Sequence, residues 1–121
     1  GLVRRLRTQR AQAGCHVRLT VCAAGREYRL DALIDTGNSL FEPLSGKPVA
    51  VAHLPELTEH AHIPIPAATA GDGGILYALR PERISVNGRE SDVLLALSPV
   101  PLRGAEALLP PGTAEWTNLG G

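Results

Sequence analysis

Aromatic side chains are scarce in these 121 residues: Tyr28, Phe41, Tyr77 and Trp116 are the whole complement, and methionine is absent. Any core must therefore be built from Leu, Ile, Val and Ala. The length suits one compact domain. Excess charge is missing too, since 12 basic and 12 acidic residues cancel, so the chain lacks the overall basic footprint of a nucleic-acid-binding protein. No apolar run approaches the roughly 18 residues of a membrane span, and no signal-peptide pattern is visible. The only cysteines, Cys15 and Cys22, stand seven apart in one extended segment. They should face opposite sides, too far apart to bridge, as reduced thiols suited to a cytosolic compartment.

Thirteen glycines and ten prolines divide the chain into short pieces, and the β-branched runs between them predict an all-β domain. Residues 17–22 alternate apolar and polar side chains, Gly25 marks a tight turn, and residues 28–34 return as a second strand. Residues 49–52 read as a short buried strand and 54–60 as one or two helical turns. The segment Ile63-Pro64-Ile65-Pro66 is stiff and extended, because each proline restricts itself and the residue before it. A glycine-rich tip at 71–74 then leads into an apolar run at 75–79. Residues 83–86 and 92–97 flank Asn87-Gly88, the strongest short hairpin signal present. Residues 102–109 have helical spacing and stop at Pro110-Pro111, which predicts a short carboxy-terminal helix. The expected division is a basic juxtamembrane linker at 1–14, a folded domain at 15–111 and a tail at 112–121. That tail is expected to be flexible or to add an interface strand anchored by Trp116. Arg4, Arg5, Arg7 and Arg10 in the linker suit a position just inside a membrane anchor, although a solvated basic tail is the plain alternative.

Chemistry concentrates at Asp35. The apolar run Leu30-Asp31-Ala32-Leu33-Ile34 should carry Asp35 out of the core at a strand end, where Gly37 frees the chain to turn. An Asp-Thr-Gly tripeptide alone is weak evidence, because these are common loop residues.

In order along the chain, Leu33-Ile34-Asp35-Thr36-Gly37 after a hairpin, then 71–74, then Ser98-Pro99-Val100-Pro101-Leu102-Arg103-Gly104, resemble a retroviral-type aspartic protease. More narrowly, Ile34-Asp35-Thr36-Gly37-Asn38-Ser39-Leu40-Phe41-Glu42-Pro43-Leu44-Ser45-Gly46-Lys47-Pro48-Val49 is similar to the sigma-E factor-processing peptidases of endospore-forming bacteria. Gly73-Gly74-Ile75-Leu76, Ala78-Leu79-Arg80-Pro81 and Glu106-Ala107-Leu108-Leu109-Pro110 support it. The resemblance implies an acid-protease fold and a homodimer at the cytoplasmic face of the membrane. It also implies cleavage of the pro-sequence from an inactive sigma factor during sporulation, with a membrane-associated activator as a further partner. Asp35 would be the catalytic residue contributed by each subunit, and Thr36, Gly37 and Asn38 would support it. Gly71, Asp72, Gly73 and Gly74 would form a flap over an extended peptide. Asn38 departs from the Ser or Ala usual in retroviral proteases, but an amide can still hydrogen-bond a carboxylate.

Two Asp35 carboxylates across a two-fold axis cannot both ionise cheaply, so they would share one proton, activate water and protonate the leaving group. That chemistry needs no metal or cofactor. The cluster Glu56, Glu59, His60 and His62 invites a zinc reading, but its spacing matches no catalytic zinc motif and Pro64 interrupts it. His16 and His53 are isolated, and surface or satisfied core positions are their default. One rival for the whole chain is a non-catalytic dimerisation or peptide-binding module on the same fold. The other is an unrelated small β-barrel in which residues 35–37 are only a turn.

Overall fold

The computed structural model describes residues 15–35, 40–67 and 74–111. Strand β1 (His16–Ala23) buries Val17, Leu19, Val21 and Ala23 on one face, the period-two pattern of a half-buried strand. Ala24 and Gly25 then take φ values of 53° and 75°, the left-handed pair that matches the twist of a two-residue hairpin. Strand β2 (Arg26–Ile34) returns antiparallel, in register from Ala23↔Arg26 to His16↔Leu33. Its first half is largely exposed. Its far end, Ala32 and Ile34, is fully buried.

The next strand, β3 (Val49–Ala52), is buried at every position. A 3-10 helix, Pro55–His60, follows and buries Leu57; it is the only helical segment among the described residues. Strands β4 (Ile63–Ala67), β5 (Gly74–Leu79), β6 (Arg83–Val86), β7 (Arg89–Glu90), β8 (Leu94–Leu97) and β9 (Ala107–Leu109) complete one mixed sheet. Its order is β4-β5-β8-β3-β9-β2-β1-β6-β7. The domain is therefore all-β, as its composition implies. None of the described helices is long and apolar enough to cross a membrane.

Two apolar clusters hold the sheet. The larger gathers Leu19, Val21, Ile34, Leu57, Leu95 and Leu109 among others, and the smaller gathers Val49, Val51, Ile65, Ala78, Leu94 and Ala96. The central strand β3 serves both, Ala50 and Ala52 on one side and Val49 and Val51 on the other. Each fully buried Leu or Ile contributes about 1.5–3 kcal/mol, which is how a core with so few aromatics closes. Cys15 and Cys22 are free thiols.

Two expectations fail here. Residues 102–109 form no helix: Gly104 sits at φ 78°, and Ala107–Leu109 is strand β9, parallel to β2 and antiparallel to β3. Burial of Ala107 and Leu109 between two strands overrides a weak helical spacing. The turn at Asn87-Gly88 forms as read, with φ values of 51° and 85°. Its second arm, however, is Arg89–Glu90, and the apolar strand after it leaves to pair with β3 and β5.

Candidate active site

Asp35 follows directly on the end of β2. Ile34 is fully buried and donates its N–H to the Cys15 carbonyl at 2.9 Å, while Asp35 donates its own N–H to the Leu109 carbonyl at 2.9 Å. The end of β2 is thus held by the chain entering β1 on one side and by β9 on the other. Apolar residues draw β2 inward, and the first polar residue after them emerges half-buried. Thr36, Gly37 and Asn38 lie outside the described residues.

The chain is anchored again at Leu40, which packs against the smaller cluster and accepts the Val49 N–H at 3.2 Å. Phe41 and Pro48 form an isolated bridge across the base of the following turn. Both flanks of positions 36–39 are therefore fixed to central strands.

Of the glycine-rich tip, Gly74 opens β5 and is exposed, while Gly71, Asp72 and Gly73 lie outside the described residues. In the sheet order β8, β3 and β9 stand between the strand that Gly74 opens and the strand that leads to Asp35. The hairpin that carries the tip has two unlike edges. On β4, Pro64 and Pro66 remove two donors from the same side of the strand, a common protection of an outer edge. On β5, the ladder to β8 covers Tyr77, Ala78 and Leu79, and among the described residues Gly74, Ile75 and Leu76 pair with β4 alone. Pro99, with no N–H, stands beyond the end of that ladder. A mainly apolar pocket of about 250 Å³ opens there between Ile75, Tyr77, Leu97, Pro99 and Ala61.

A larger, open concavity of about 500 Å³ lies over β1 and β2, but its polar groups are engaged with one another. His16 Nδ1 lies 3.1 Å from Asp31 Oδ2, Glu106 Oε1 accepts the Asp31 N–H at 2.7 Å, and Asn87 Oδ1 accepts the Arg18 N–H at 2.9 Å. These contacts tie strands together. His53 Nδ1 lies 2.9 Å from the Ser98 carbonyl. Of the zinc candidates, His60 lies 3.5 Å from Glu59, and no group of three metal-ligating side chains occurs among the described residues.

Reading the sequence singled out Asp35 but neither Leu109 nor Glu42. Leu109 holds Asp35 by a backbone carbonyl, which no side-chain motif reports. Glu42 organises the turn after Leu40, and its position just before Pro43-Leu44-Ser45-Gly46 was the available signal. Its carboxyl is held below the ordinary value of 4.5, first by the Ser45 hydroxyl and then by the Leu44 N–H.

A family model described as Peptidase_U4, sporulation factor SpoIIGA, matches residues 1–69, more than half of the chain. Neither a curated protein nor a solved structure matches.

Proposed function

The chain belongs to the SpoIIGA family of sporulation peptidases, and from that premise we propose an aspartic endopeptidase that works as a homodimer, with Asp35 of each subunit forming the catalytic pair. The observation that carries this reading is the setting of Asp35: a half-buried carboxylate at the end of a buried strand, its N–H fixed by Leu109. General acid–base chemistry on a peptide bond needs a carboxylate held in one place at the edge of a dry interior. Only one Asp-Thr-Gly occurs in these 121 residues, and in this reading a two-fold axis brings the second carboxylate. One would take a proton from water while the other donates to the carbonyl or leaving nitrogen.

The same reading assigns Thr36, Gly37 and Asn38 to support of the pair and Gly71, Asp72, Gly73 and Gly74 to a flap. The donor-poor outer edge of β4 and the start of β5, unpaired by β8 among the described residues, favour a hairpin whose tip end remains available to an extended chain. The substrate in this proposal is an inactive sigma factor precursor, cleaved at the cytoplasmic face of a membrane to which segment 1–14 leads. A retroviral-protease-like fold is part of the proposal. Cleavage of a candidate precursor by wild-type protein and by Asp35→Asn tests it. The amide has nearly the carboxylate's shape but cannot act as a base, so activity should vanish while the fold persists. Equal cleavage by the two would remove Asp35 from the mechanism.

A further inference from the structure

Pro64 and Pro66 fix which way the backbone of β5 faces. In an antiparallel pair, opposed residues alternate between exchanging both backbone hydrogen bonds and exchanging none. Pro64 stands opposite Tyr77 and Pro66 opposite Ile75, and a proline has no N–H to exchange. The exchanging pairs are therefore Ile63 with Ala78 and Ile65 with Leu76, and the N–H and C=O of Tyr77 and Ile75 point the other way, toward β8. Tyr77 meets Leu97 there. The same register would set Ile75 opposite Pro99, which cannot donate, and Ser98 has turned its N–H to the Ala52 carbonyl at 2.8 Å. Among the described residues the ladder stops at Tyr77, and Ile75 makes no backbone bond on this side.

These two hydrogen-bonding groups border the apolar pocket of about 250 Å³. Opposed residues of a ladder carry their side chains on the same face. A residue paired with Ile75 would therefore send its side chain to the face of Ile75 and Tyr77, which line the pocket with Leu97 and Pro99. The two serine and threonine hydroxyls in the lining are already committed. Thr58 donates to the Pro55 carbonyl at 2.8 Å, and Ser98 donates to the Val100 carbonyl at 2.6 Å. No charged side chain lines the pocket among the described residues. The cavity itself selects an apolar group, while the open edge of Ile75 needs a donor and an acceptor. An extended peptide bearing an apolar side chain satisfies both.

We propose that Ile75 and this pocket form a docking point for one apolar residue of an extended protein substrate. Its main chain pairs with the N–H and C=O of Ile75, and its side chain fills the space beside Tyr77, Leu97 and Pro99. That the docked chain is the precursor to be cut rests on the peptidase reading above; the pairing itself does not involve Asp35.

Binding is measured by NMR titration of the Asp35→Asn protein, which should leave peptide uncut. The probe is a short blocked peptide of Ser and Thr with one central Leu. It should move the amide signals of Ile75, Tyr77 and Leu97. Replacing that Leu by Ser should weaken binding at least about tenfold. N-methylating it, which removes the donor to the Ile75 carbonyl, should weaken binding about threefold or more. Adding Ile75→Glu should also cost at least about tenfold in affinity with Tm unchanged, whereas Leu44→Glu, at an exposed position outside the pocket, should cost nothing. No shift at millimolar peptide, equal affinity for the Leu and Ser peptides, or equal affinity of the two Glu variants overturns the docking point. Precursor cleavage is read in parallel. If docking fails while Asp35→Asn is inactive, the catalytic reading stands without it. If docking holds and Asp35→Asn cuts the precursor as wild type does, the docking point stands and the assignment of Asp35 fails.

Discussion

The β1–β2 and β4–β5 hairpins differ most in where their apolar residues go. In the first, Val17, Leu19, Val21, Ala23, Ala32 and Ile34 all enter the core, and the hairpin is paired on both outer sides, by β6 and β9. In the second, Ile65, Ala78 and Leu79 are buried, but Ile75 and Tyr77 stay 56% and 51% exposed and β4 is an edge strand among the described residues. The residue types are alike; the contrast is in tertiary cover. Asp35, the proposed catalytic carboxylate, follows the covered hairpin. The proposed flap belongs to the less covered one, where local opening is cheaper.

The contrast breaks most visibly on truncation. Ile34→Ala should cost about 2–5 kcal/mol in urea denaturation, because a fully buried side chain between two strands leaves a cavity. Ile75→Ala should stay within about 0.5 kcal/mol. Equal losses would mean that the hairpins are equally covered. Next in size is Gly74→Val. A Cβ at Gly74 meets nothing within 4 Å and the backbone there is not left-handed, so Tm should hold. A β-branched residue at the base of the tip should nevertheless stiffen it and reduce turnover about tenfold. Unchanged turnover would argue against a flap.

Smaller still is Ala24→Asn in the covered hairpin. Ala24 occupies φ 53°, a conformation that Asn tolerates better before Gly25, and the variant should gain about 0.5–1 kcal/mol in thermal or urea unfolding. A loss would show that the alanine is not strained there. The smallest effect is acid release of the Glu42 turn. Its folded pKa lies below the ordinary 4.5, so the stabilisation is full well above that value and is lost as pH falls through the folded pKa. Leu44 and Ser45 amide signals should follow one transition with its midpoint below pH 4.5, and Glu42→Gln should abolish the transition. A transition centred above 4.5 would contradict the carboxylate's role in the turn.

Much of this architecture was legible because it is local. The alternation over β1, the turn at Asn87-Gly88, the all-buried run Val49–Ala52 and the strand before Asp35 each announce themselves within a few residues. The pairings that place the site do not. Strand β9 joins β2 in parallel at Ile34↔Leu109, and β3 joins β8 in parallel from Val49↔Leu94; such ladders need long crossovers and leave no turn signature. Residues 102–109 looked helical because spacing cannot report that Ala107 and Leu109 fill a slot between two distant strands. Asp35 was legible as a residue type in a motif. Its anchor at Leu109 was not, since that is a backbone carbonyl, and neither was the Glu42 turn, whose carboxylate acts on its own loop.

The sharing of Asp35 between two chains is tested most directly by mixing. Wild-type protein is combined with increasing Asp35→Asn protein under conditions where mixed dimers are shown to form, and precursor cleavage is measured. Because a mixed dimer carries one competent carboxylate, the shared pair predicts that activity falls below the amount contributed by wild-type homodimers diluted alone. Activity that stays proportional to the wild-type chain present would contradict it.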